Sequence, residues 1–395
     1  MSACPTFTLL GDEADSPRGR IYLMKALADG RVEPTSDVLT HLDRCLDCRA
    51  CETACPAGVQ YGSLIESARA QMHDAGLSGN EMGWFVRFFV KHVFPYPARL
   101  EKALMPVRWM QRLGLVEKLP GRLGAMARML PLLPRPKIRL QFPHYMSAVE
   151  SREARVGLLT GCVTSVMYSP LNVATAQVLA LNGCDVYAPN EQSCCGALFA
   201  HTGDKEEAKV CARRNIDIFE ELDLDAIIVN AAGCGCTMKE YGELLHDDPY
   251  YAERAKVFVL KVRDFTEFLA SRMPLTPPSP IEARVTYHDP CHLAHGQGIV
   301  DAPRELLKAV PGLEIVDMAD SDACCGSAGI YNVAQPELAE QILQRKIDNV
   351  ENTGAEMLVT ANPGCMLQLA DGIQRRGLAC EVIHMATLFS RAYGL

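Results

Sequence analysis

Cys194-Cys-Gly196 and, 130 residues further on, Cys324-Cys-Gly326 decide how this chain is read. Other cysteines flank the two motifs at matching distances. Cys162 and Cys291 stand 129 residues apart, and Cys234 and Cys365 stand 131 apart. Three offsets agreeing this closely mark a duplication of one structural unit. In the first copy, the apolar runs 155–160, 185–188 and 226–230 read as strands, with a helical stretch over 174–182. In the second, 283–287, 315–316 and 357–360 read as their counterparts. Strand and helix alternating in this way predict α/β lobes with Rossmann-like sheets, over 151–275 and 276–395. The cysteines fall just past strand ends, where open α/β sheets place their binding sites. Glycine beside each pair lets backbone approach a bulky inorganic group closely. The four thiols of each lobe (Cys162, Cys194, Cys195 and Cys234; Cys291, Cys324, Cys325 and Cys365) suffice for an iron–sulfur cluster or for zinc.

A second signal lies upstream, in Cys45-Leu-Asp-Cys-Arg-Ala-Cys-Glu-Thr-Ala-Cys-Pro56. Three cysteines at three-residue spacing, a fourth four residues later and a closing proline form the bacterial ferredoxin pattern for a [4Fe-4S] cluster. Zinc sites more often pair two cysteines with two distant ligands. In two-cluster ferredoxins the fourth cysteine of each run ligates the other run's cluster. Cys45, Cys48 and Cys51 therefore need a distant partner, and Cys4, followed by Pro5, reads like the tail of another such run. Cys55 then belongs to a second cluster whose other three cysteines are missing here. Either the chain begins late or one cluster has been lost.

Around this run, Asp15 or Ser16 is expected to cap a helix with Pro17 in its first turn. Arg18 and Arg20 are candidates for holding a partner's carboxylate or a cluster's negative charge, or for a solvated helix start. A helix is expected over 63–74, with Ser63 and Glu66 at capping-box spacing. Residues 1–80 thus make a small α-helical ferredoxin-type domain.

Composition sets the outer bounds. The chain has 395 residues, enough for two or three domains, and its 48% hydrophobic content makes it globular. Its 17 cysteines, with no basic segment and apolar run of a signal peptide at the N-terminus, favour metal ligation over disulfides. No apolar run reaches the ~18 residues of a spanning helix. A cytoplasmic location follows, or a peripheral one on the inner face of the membrane. A net charge of −9 argues against general nucleic-acid binding.

Residues 81–150 read as a helical linker. Within them, 83–141 carry twelve Lys and Arg against Glu101 and Glu117, both tryptophans (Trp84 and Trp109) and several phenylalanines. Basic residues beside aromatic ones suit a membrane surface or an acidic partner; the alternative is a linker packed on its own protein. Cys184, Cys211 and Cys380, outside the repeat, read as small buried hydrophobes. Cys236 is a fifth ligand or a spare. His288, His292 and His295 flank Cys291, where a bond to cluster sulfur from one of them competes with ordinary packing. Asp289 and Pro290 shape the turn.

These motifs resemble the cysteine-rich Cys-Cys-Gly domain family of heterodisulfide reductase subunits and related electron carriers. With the ferredoxin run and the stretch from Leu10-Gly-Asp-Glu to Tyr22-Leu-Met24, the whole chain most resembles the iron–sulfur subunits of glycolate oxidase. The Cys-Cys-Gly motif is shared with lactate-utilisation and anaerobic glycerol-3-phosphate dehydrogenase subunits, so it does not name the substrate. Relatives carry a complete first ferredoxin run, and so a second [4Fe-4S] cluster, where this chain has Cys4 alone. Heterodisulfide reductase lobes end in Cys-x-x-Cys, whereas here lobe one has Cys234-Gly-Cys236 and lobe two has Cys365 with Gln368 at the second place. The resemblance tips the lobes towards iron–sulfur clusters.

No Gly-x-Gly-x-x-Gly after a strand and no Walker loop is found. Clusters move single electrons, whereas oxidising a 2-hydroxy acid is a two-electron step that flavin performs. The resemblance implies a wire beside FAD-containing glycolate oxidase subunits, passing electrons towards quinone, with no catalytic acid–base residue of its own. The rival is a non-catalytic scaffold or redox sensor whose lobes hold zinc.

Overall fold

The computed structural model describes residues 3–77, 84–120, 124 and 127–395. The first region is helical. Ser16 caps the helix Pro17–Ala28 by accepting from the Gly19 amide at 2.9 Å, with Pro17 in the first turn as expected. Helices Ser36–Asp43 and Tyr61–Asp74 complete this layer around Leu39, Leu42, Tyr61 and Ile65.

The expected capping box at Ser63 is not formed. The helix begins at Tyr61, and the side chain of Glu52 takes the Gly62 amide. Ser63 instead donates to Glu243 of lobe one at 2.6 Å. A side chain from the cysteine loop does the capping, so the helix starts two residues early.

In the basic stretch, helices Trp84–His92 and Pro97–Arg112 are followed by a helical turn at Val116–Lys118 and a short helix Pro136–Leu140. The side chains of Trp84 and Phe85, and all of Arg122, lie outside the described part. Arg108 is not on the surface: it is buried and paired with Glu101. Trp109, Met105, Leu113, Leu132 and Leu140 are exposed.

Lobe one is a five-stranded sheet in the order β1-β3-β2-β4-β5. Its strands are β1 (Tyr145–Met146), β2 (Ala154–Leu159), β3 (Cys184–Tyr187), β4 (Ala226–Val229) and β5 (Val262–Asp264). Only the β1–β3 pairing is antiparallel. Lobe two has β6 (Ala283–Tyr287), β7 (Leu313–Ile315), β8 (Met357–Thr360) and β9 (Glu381–His384), parallel throughout in the order β7-β6-β8-β9. β2 and β4 are buried almost end to end, as parallel strands covered on both faces must be.

The two sheets share one interior. Val156, Leu158 and Phe265 of lobe one pack in the same cluster as Val285, Tyr287 and Phe389 of lobe two. Helix Ser169–Leu181 of the first lobe lies against Met385–Ala392 of the second. The carboxyl ends of β2 and β6 run into short turns, after which Cys162 and Cys291 each open a helix.

Candidate metal centres

Cys4, Cys45, Cys48 and Cys51 line one small cavity together with Thr6, Arg20 and Tyr61. Asp47 (φ 53) and Arg49 (φ 60) both adopt left-handed backbone, which folds the Cys45–Cys51 loop tightly enough for its thiols to converge. Several donors address the sulfurs. The Asp47 amide reaches Cys45 Sγ at 3.4 Å, the Tyr61 hydroxyl at 3.6 Å, and Arg20 approaches Cys4 Sγ at 3.9 Å.

Arg20 is held there by Asp15 at 3.1 Å and by the His41 carbonyl at 2.6 Å, and it is almost fully buried. Arg18, in contrast, lies at the surface against Glu13. Burial pushes the Cys51 thiol up to about 12 and the Cys48 thiol well above its usual range. Free thiolates would not be stable so close together without bound positive charge. Four convergent thiols, a dry cradle and a buried guanidinium fit a [4Fe-4S] cluster. Cys55 lies outside this cavity, partly exposed, and the amides of Val59, Ala57 and Gly58 hold its thiol below the usual cysteine range.

The two lobes repeat one local design. In lobe one, Cys162 Sγ lies 3.4 Å from Cys194 Sγ, and the neighbouring Cys194 and Cys234 thiols raise Cys195 well above its usual range. In lobe two, Cys291 Sγ lies 4.0 Å from Cys324 Sγ, and Cys325 and Cys365 place their sulfurs within 4.8 Å of each other. Gly196 and Gly326 have φ of 88° and 89°, and each turns its amide back on the first cysteine of its pair at 3.4 Å. Among the lobe thiols only Cys234 is partly exposed; the other seven are buried. These sets of soft donors also fit iron–sulfur clusters.

Cys236, the candidate fifth ligand of lobe one, points elsewhere: its sulfur lies 3.8 Å from Glu240 Oε1, near Arg49. Cys184 and Cys211 are buried and Cys380 half-buried, and burial raises all three thiols.

The ferredoxin-type cavity and the lobe-two thiols are neighbours. Cys48, Cys291 and Cys324 belong to one buried cluster with Leu46, Ala50 and Tyr331. Tyr331 also donates to the Arg44 carbonyl at 3.0 Å, tying lobe two to the helical domain. Lobe one is held by ions. Arg49 pairs with Glu240, with Glu66 at 3.4 Å and with Asp47 at 3.8 Å. His201 lies 3.2 Å from Asp47 and 3.0 Å from Glu66. Burial opposes its charge, yet the carboxylates of Asp47 and Glu66 beside it carry His201 up to about 9. The same contacts, against burial, hold Asp47 below the usual carboxylate range. A cavity of about 380 Å³ opens beside this junction, walled by Cys45, Arg69, His201, His292 and Tyr331.

The sequence motifs locate the thiols but not this junction. Asp47 sits inside the ferredoxin run, yet Glu66, His201 and Glu240 come from distant segments with no pattern joining them. His292 places Nδ1 3.8 Å from the Sγ of the adjacent Cys291, and His295 pairs with Thr53 at 3.0 Å. Asp289 does more than shape a turn: it is buried and bidentate with Arg304 at 2.7 and 2.8 Å.

Known proteins are similar to this chain in sequence. The cysteine-rich domain family matches residues 156–239 and 285–370, and the 4Fe-4S dicluster domain family matches residues 1–59. The chain is 42% identical to a "Probable glycolate oxidase iron-sulfur subunit" of Bacillus subtilis, over 100% of this chain and 92% of that one. It is 36% identical to the "Glycolate oxidase iron-sulfur subunit" of Escherichia coli, over 93% of this chain and 87% of that one. "Lactate utilization protein A" of Shouchella clausii is 32% identical over 60% of this chain and 98% of its own length.

Proposed function

Because the chain belongs to the family of glycolate oxidase iron–sulfur subunits, we propose that it is the electron-carrying subunit of a flavin-dependent glycolate oxidase. In this reading it takes electrons from a partner FAD-containing subunit and passes them towards quinone. Iron–sulfur clusters, held by Cys4, Cys45, Cys48 and Cys51 and by the four thiols of each lobe, supply one-electron transfer when bound.

The protein's own residues set the conditions. Arg20, the Asp47 amide and the Tyr61 hydroxyl present positive charge to the first site, and Lys346, almost fully buried, presents it to Cys324 and Cys325. The observation that carries the reading is the shared packing of Cys48 with Cys291 and Cys324, which puts thiols of the two sites in one buried cluster. Glycolate is favoured over lactate because the glycolate oxidase relatives match nearly the whole chain and the lactate-utilisation relative 60% of it.

The basic stretch is read as the contact with a membrane or membrane partner. Its support is the exposure of Met105, Trp109 and Leu113 among cations, while no described helix is long and apolar enough to cross a membrane. The test is anaerobic purification with co-purifying partners, then iron and sulfide analysis and addition of substrate. Glycolate should bleach the visible absorbance, and lactate or glycerol 3-phosphate should do so far more slowly. Bleaching led by either of those would reassign the substrate, and a colourless zinc protein would end the electron-carrier reading.

A further inference from the structure

His288 follows β6 directly and precedes Cys291 by three residues. The offset of 129 that relates Cys162 to Cys291 places it opposite Leu159, a buried core residue at the end of β2. A histidine thus stands in lobe two where lobe one has an ordinary apolar side chain.

Its surroundings do not account for it as packing. The side chain is fully buried, and neither Nδ1 nor Nε2 has a hydrogen-bond partner. Buried imidazole nitrogens are normally satisfied, because each unpaired polar atom forfeits its hydration for nothing. A ring nitrogen of His288, Cys325 Sγ and Cys365 Sγ all lie within 4.8 Å of one another, and all three residues are buried. Gln368, where a further cysteine would fall, accepts instead from Asn332 at 2.9 Å.

We propose that His288 is a ligand of the lobe-two metal centre through one ring nitrogen, beside Cys325 and Cys365. Lobe two is then a mixed imidazole–thiolate site and lobe one a thiolate site. This rests on the reading that lobe two holds an iron–sulfur cluster. Imidazole brings no negative charge to the iron, so exchanging it for a thiolate lowers the potential of the centre.

The test uses the anaerobically purified, dithionite-reduced holoprotein labelled with ¹⁵N-histidine, and reads hyperfine coupling by pulsed electron paramagnetic resonance. A strong imidazole coupling should be present and should vanish in His288→Leu, the residue lobe one uses. His288→Cys should keep the iron, lose the coupling and lower the potential of one centre in a redox titration. If Cys325→Ser loses iron but no coupling depends on His288, the ligand assignment is overturned and the cluster stands. If Cys325→Ser loses no iron, lobe two holds no cluster, and the assignment falls with the reading beneath it.

Discussion

Arg49 of the cysteine loop forms an ion pair with Glu240 of lobe one, across 191 positions of sequence. Arg49 follows Cys48, lines the cavity of the ferredoxin-type thiols and reaches across to lobe one. It is nearly buried, and it faces three carboxylates, on Asp47, Glu66 and Glu240.

Arg49→Ala therefore strands those carboxylates without their cation. Breaking a buried pair from one side costs roughly 3–5 kcal/mol, and the partial exposure of Glu66 and Glu240 puts the expected loss at the low end, about 3 kcal/mol. Urea unfolding of the metal-loaded protein measures it. A loss below ~1 kcal/mol, the level of a surface pair, would mean the junction is not held this way.

His201 gives the junction a pH dependence. It faces Asp47, Glu66 and the ring of His292, and its carbonyl accepts from Arg69. Its folded value of about 9 lies above the ordinary 6.5, so the stabilisation is complete below pH 6.5 and disappears as pH rises through 9. Thiols titrate in the same range, so the informative quantity is the stability difference between wild type and His201→Asn. That difference should shrink between pH 7 and 10. A constant difference would show that His201 carries no charge in the fold.

Cys4→Ser should damage the centre held by Cys45, Cys48 and Cys51, since its sulfur shares their cavity. Cys55→Ser should leave that centre's paramagnetic signal unchanged. Equal losses from the two variants would refute the assignment of Cys4.

Gly326→Ala meets two obstacles at once. A Cβ there would stand 2.7 Å from the Ala339 carbonyl oxygen, and the backbone φ is +89°. Residues forced into such backbone cost about 1–3 kcal/mol. The variant should be destabilised by at least that much and should retain less iron in lobe two. Gly196→Ala, where the nearest atom is 3.2 Å away, should be milder. Equal stability of both variants with wild type would show that the turn is not needed.

Membrane contact is tested by charge reversal. Lys102, Arg112, Lys118 and Lys137 are exposed, and each basic residue near an anionic surface contributes on the order of 1 kcal/mol. Changing all four to glutamate should release the protein from phosphatidylserine vesicles at low salt without changing its visible spectrum. Wild type that ignores such vesicles would make this stretch a packing linker only.

Much of this was legible because repeated chemistry leaves repeated spacing. The offsets between Cys162 and Cys291, Cys194 and Cys324, and Cys234 and Cys365 revealed two lobes, and the strands that precede those cysteines lie where the apolar runs are. β1, β5 and β9 were not read from the sequence: they are as short as the strands that were, but no cysteine motif follows them to mark where a strand ends. Ser63 misled because its capping signal is local, whereas Glu52, which takes the helix amide, arrives through the fold of the cysteine loop. The Arg49–Glu240 junction left no trace in the sequence at all, since ion pairs between distant segments impose no period.

The interior common to both sheets has a bearing on how the chain is made. Helix Ser169–Leu181 of lobe one packs on Met385–Ala392, which leaves the ribosome more than two hundred residues later. Until then that helix carries an uncovered apolar face, so a chain cut short before residue 385 is expected to aggregate.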